Sequence, residues 1–182
     1  LDLGDGTYAI QFKQNGVTTY VRVDGDLPAG GPYSGGLEYA HPGSSGNQWA
    51  AIFEKAYAEF DRSWSYSSLD WGYFGSVLSS LGASYSSLSI SSAGSLASAI
   101  VSAVNSGKGV TVGTTSSVQN VPLIGSHAYT VTKAWNDGWG NTYVTLRNPW
   151  GYDGAGYDGK NDGYVTLTVA QLQPFLIAAS VS

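Results

Sequence analysis

The spacing of apolar residues changes twice along this chain, and that double change limits the fold more than any single residue does. From residue 6 to 24 apolar and polar residues alternate on both sides of Asn15-Gly16. Period two around a dipeptide that tolerates positive φ predicts a β-hairpin. From Asn47 the residues Trp49, Ile52, Phe53, Ala56, Tyr57 and Phe60 recur every three or four positions, with Glu54, Lys55 and Glu59 between them. That is the pattern of an amphipathic helix, with Asn47 as its expected N-cap and the aromatic side chains as core. Apolar runs over 71 to 81 and over 95 to 104, the second closed by Asn105-Ser106-Gly107, predict two further helices. After Gly107 the strand pattern returns over 109 to 114, 126 to 134, 141 to 148 and 163 to 167, with a turn at Asn136-Asp137-Gly138. Thr168 and Gln171 are spaced as a capping box that opens a short last helix. The Gly/Pro-rich residues 29 to 36 read as a surface loop. Strands, helices, then strands, without an internal repeat or long linker, argue one α+β unit.

Thirteen acidic against eight basic residues leave a net charge of −5. Such a surface repels phosphate backbones and anionic membranes, and no run approaches the roughly 18 apolar residues of a membrane helix, so neither nucleic acid nor membrane is an expected partner. Six Trp and thirteen Tyr within 42% hydrophobic content supply a core. There is no Cys and no Met, hence no disulfide, no thiolate metal site and no nucleophilic thiol. Low charge with abundant Ser, Gly and Tyr suits a secreted microbial protein. A start at Leu1 rather than Met is expected of a processed or excised chain, with any signal peptide upstream.

Only two histidines are present, so candidates for a base at neutral pH are few. His127 lies in Gly125-Ser126-His127-Ala128-Tyr129-Thr130-Val131, at the start of a predicted strand. Asn148 follows 21 residues later in Leu146-Arg147-Asn148-Pro149-Trp150-Gly151, where Pro149 ends the next strand. Two strands joined by a turn bring the two side chains within reach. An amide oxygen accepting from one ring nitrogen would fix the tautomer and aim the other nitrogen at a nucleophile. A buried histidine bonded within the sheet and an asparagine ending a strand fit the same residues.

These two blocks resemble the pair that carries the catalytic His and Asn in calpains. Leu37-Glu38-Tyr39-Ala40-His41, the run from Asn47-Gln48-Trp49 into its helix, and Val21-Arg22-Val23-Asp24-Gly25-Asp26-Leu27-Pro28 are similar to earlier calpain segments. The resemblance spans about residues 6 to 177. It implies an α+β fold, the second subdomain of a papain-like calpain core: a twisted, barrel-like antiparallel sheet with a long helix and smaller helices on one side. It implies His127 as the base that activates a thiol, Asn148 as its orienting partner, and Trp150 as the indole that shields the pair, while His41 falls on a structural position. The nucleophilic Cys and the oxyanion Gln of calpains lie on a preceding subdomain. The partners implied are therefore a Cys-bearing subdomain, upstream or on a separate chain, and a polypeptide substrate. The chain alone is expected to be inactive.

Calpain cores also bind calcium through acidic residues after Asn-Pro-Trp. Here Asp153, Asp158 and Asp162 could supply oxygens, and a solvated acidic turn explains them equally well. Two other readings stand beside the peptidase. One is an inactive calpain-like module that holds a peptide or protein partner, using the Tyr, Trp and Ser of residues 71 to 85. The other, a glycan-directed domain, rests on aromatic and acidic content alone.

Overall fold

Asn15 and Gly16 both take positive φ, 52° and 79°, and close β1 (Thr7–Gln14) onto β2 (Val17–Asp24) in the register Gln14↔Val17 to Thr7↔Asp24. This pair of conformations matches the right-handed twist of the strands. A computed structural model of the chain describes residues 1–30, 37, 40–41, 46–61, 65–69, 72–154 and 159–182. Most of the expected loop over 29 to 36, together with Trp71 and Asp158, lies outside the described residues. The sequence order argues one unit, whereas the described chain gathers into two, Leu1–Ser84 and Tyr85–Ser182, each with its own apolar cluster.

In the first unit the hairpin presents Tyr8, Ile10 and Phe12 with Val21 and Val23 on one face. A lone hairpin is marginal in water, and α1 (Trp49–Phe60) covers this face with Ile52, Phe53, Ala56, Tyr57 and Phe60. Phe12 is the centre of the cluster, its ring 4.5 Å from Phe60 and 5.3 Å from Phe53. Two expectations are corrected. The N-cap is Gln48, without a side-chain cap bond, rather than Asn47. Trp49, at the first helical position, points outward and is 71% exposed. The helix expected over 71 to 81 is present as α2 (Phe74–Ser80).

In the second unit six antiparallel strands pair in the order β3-β8-β4-β5-β6-β7. They are β3 (Ser86–Ser87), β4 (Val110–Thr114), β5 (Ala128–Asn136), β6 (Thr142–Arg147), β7 (Tyr164–Thr168) and β8 (Leu176–Val181). The sheet is open, with β3 and β7 as edges, and no pairing closes it into a barrel among the described residues. Against it packs α3 (Ala93–Asn105), burying Leu96, Ala97, Ile100 and Ala103. Ser92 caps its start by accepting the Ser95 N–H. At its end Gly107, φ 72°, donates to Val104 O and Lys108 donates to Ala103 O, the paired bonds of a Schellman stop. Helices of 12 and 13 residues are of ordinary rather than great length. The capping box at Thr168 and Gln171 opens α4 (Val169–Leu172) as expected. β8 is a strand the sequence pattern did not announce.

Candidate active site

β5 and β6 pair with Thr130 opposite Arg147, and this register determines which side chains meet at their common end. His127 stands one residue ahead of β5 and Asn148 one residue beyond β6, each just outside the strand that was expected to contain it. Both backbones are still held by the sheet. The His127 N–H donates to Thr114 Oγ1 at 3.0 Å and its carbonyl accepts from Thr114 N at 2.9 Å. The Asn148 N–H donates to Gly163 O at 2.8 Å.

Asn148 is fully buried, and its amide has one orientation. Oδ1 accepts the Trp150 N–H at 3.0 Å, and Nδ2 donates to Asp153 O at 3.3 Å. His127 Nε2 lies 2.9 Å from that same Oδ1. Since Oδ1 can only accept, Nε2 carries the proton and the neutral ring keeps its lone pair on Nδ1. No described residue makes a hydrogen bond to Nδ1. The Trp150 ring packs 4.4 Å from the imidazole, and Tyr129 meets it edge-on at 5.0 Å. Burial pushes the half-buried His127 below its ordinary pKa, and the Asn148 bond draws it partly back. Burial raises the Tyr129 phenol, the Ile124 N–H opposes this, and the Asp153 charge adds to it.

The family model of the calpain family cysteine proteases matches residues 3–162 of the chain. The chain belongs to that family. A comparison with curated proteins finds no match. This calpain-family chain thus holds a neutral imidazole, tautomer fixed, with a proton-accepting nitrogen and no thiol of its own.

His127, Asn148 and Trp150, singled out from sequence, come together, and His41 lies in the first unit outside its helices and strands. The acidic candidates are arranged differently. Asp153 is 1% exposed and its Oδ1 accepts the Gly163 N–H at 2.9 Å, tying together the two ends of the loop after Asn148. Asp162 is exposed and accepts the Tyr164 N–H, and Asp158 lies outside the described residues. No group of three His, Cys, Asp or Glu side chains suited to a metal forms among the described residues. A calcium ion prefers six to eight oxygens around one point, and the described carboxylates do not supply such a set. Sequence reading passed over Thr114 and Tyr129, whose hydroxyls are anchored in loop 115–127. A threonine ending a strand ahead of a Gly-Ser-His turn is the one signal they leave.

Proposed function

We propose that this chain supplies the general base and its orienting residue to a calpain-like cysteine endopeptidase, the nucleophile being carried on a Cys-bearing subdomain outside these residues. The observation that supports the reading is the His127 Nε2 to Asn148 Oδ1 contact of 2.9 Å, which leaves Nδ1 as the proton acceptor. In this mechanism the thiol proton passes to Nδ1 and the thiolate attacks the peptide carbonyl carbon. The tetrahedral intermediate collapses to a thioester as the imidazolium gives its proton to the departing amine. Water, deprotonated by the same nitrogen, then releases the acid. Asn148 stabilises the imidazolium through Nε2–H, and Trp150 limits water at the pair. Calcium takes no step in this scheme, and the chain alone, lacking a thiol, hydrolyses nothing.

The test joins the chain to the cysteine-bearing segment encoded with it and follows cleavage of an unfolded polypeptide. Cleavage is expected, with His127→Ala lowering kcat by about 10⁴-fold or more. Cleavage unaffected by His127→Ala overturns the assignment. A gene product without any cysteine favours the inactive peptide-holding module, consistent with a thiol-free chain.

A further inference from the structure

His127 is aimed by a strained backbone. Ser126, immediately before it, takes φ 52°, a left-handed conformation that is strained for a residue with a Cβ. Such strain persists where the surroundings over-determine it. Resting on the reading of His127 as the base, we propose that Thr114 and Tyr129 are positioning residues whose hydroxyls latch the segment 124–127 to the sheet and so set the direction of the imidazole.

Thr114 is 1% exposed at the end of β4. Its Oγ1 donates to Ile124 O at 2.7 Å and accepts the His127 N–H at 3.0 Å, so one hydroxyl joins both ends of the turn. Tyr129, equally buried, accepts the Ile124 N–H on its phenol oxygen at 2.8 Å. The N–H and the C=O of Ile124 are therefore each held by a side-chain hydroxyl. Between these anchors the Ser126 N–H donates to Thr115 O at 2.8 Å. The latch also reaches Asn148. A Cβ built on Gly154 would lie 2.3 Å from Ile124 Cδ1 and 3.5 Å from Asn148 Nδ2, so the Ile124 side chain fills the space against the loop that holds the amide. Removing either hydroxyl leaves a partly buried peptide group of Ile124 without that partner, which the turn relieves by opening to water.

Nitrogen-15 NMR of the two imidazoles in the whole chain tests this, with His41 as internal reference. The wild type is expected to show His127 as the Nε2–H tautomer with a pKa below the ordinary value. Thr114→Val and Tyr129→Phe are expected to give a tautomer mixture and to move the pKa up toward that value, while Thr114→Ser restores the wild-type signature. In the enzyme completed by its cysteine segment, kcat should fall about 10²-fold with KM little changed, as for a misplaced catalytic group. Folded Thr114→Val and Tyr129→Phe with unchanged tautomer and pKa overturn the latch. If Thr114→Val does not fold, Tyr129→Phe and the Thr114→Ser control decide. A wild-type signature lost in the variants supports the latch even where the completed enzyme proves inactive, since the NMR readout needs no nucleophile.

Discussion

His127 Nε2 and Asn148 Oδ1 stand 2.9 Å apart across 21 residues of chain, and the amide is held by Trp150 N and Asp153 O as well. Replacing Asn148 by Asp puts an anion against the ring with little change of shape. An adjacent opposite charge favours imidazolium, so the His127 pKa should rise from below its ordinary value to above it. Asn148→Ala should instead let the ring turn, lowering kcat of the completed enzyme about 10²-fold. NMR titration decides the first outcome, and a pKa unmoved by the Asp substitution contradicts the contact.

The lowered His127 pKa links stability to pH. The fold favours the neutral ring, so below the ordinary imidazole value of 6.5 the unfolded chain takes up the proton more readily than the folded one. Stability from this residue is therefore full above about pH 6.5 and is lost as pH falls toward the folded-state pKa. Glu54, raised chiefly by burial, acts with the opposite sign from pH 4.5 upward, so the comparison needs His127→Gln as a reference. Urea midpoints should fall more for wild type than for His127→Gln between pH 7.5 and 5.5, estimated as a window about one unit either side of 6.5. Parallel curves would remove the claim.

Phe12 and Trp49 separate the packing of α1 from its sequence pattern. Phe12 is 1% exposed at the centre of the aromatic cluster, and Trp49 is 71% exposed on the same helix that covers it. Phe12→Ala should cost about 3–5 kcal/mol, while Trp49→Ala should stay within about 0.5 kcal/mol. Urea unfolding of both variants measures the contrast, and equal losses would mean that Trp49 is part of the core after all.

What the sequence made legible is what neighbouring residues decide among themselves. The Asn15-Gly16 turn, the Gly107 stop and the Thr168 box each depend on a few adjacent residues, so local chemistry is enough. The His127–Asn148 pairing was readable because two strands joined by a turn bring known ends together. β8 was not, since Leu176, Ala179 and Ser180 are buried while Ile177 is exposed, which breaks strict alternation. Its place between β3 and β4 depends on partners 62 to 95 residues away. Trp49 misled because an apolar residue on the right period lies at the first position of the helix, where the core does not reach. Thr114 was hidden because its hydroxyl meets a carbonyl ten residues on, across a turn with no periodicity.

Gly16 and Gly125 distinguish a cost of conformation from a cost of space. At Gly16, φ is 79° and a Cβ would meet nothing within 4 Å, so Gly16→Ala should cost roughly 1–2 kcal/mol through the backbone alone. At Gly125 a Cβ would lie 2.4 Å from Ser116 O and 2.9 Å from Ser116 C. Backbone atoms cannot rotate aside, so the turn that carries His127 must shift, and overpacking of this kind costs about 1–3 kcal/mol or more. The two substitutions can match in melting temperature and still differ at the site. Gly16→Ala should leave the His127 imidazole resonances unchanged, whereas Gly125→Ala should disturb its tautomer and, in the completed enzyme, lower kcat. An unaltered His127 spectrum in Gly125→Ala would show that the approach to Ser116 does not govern where the imidazole points.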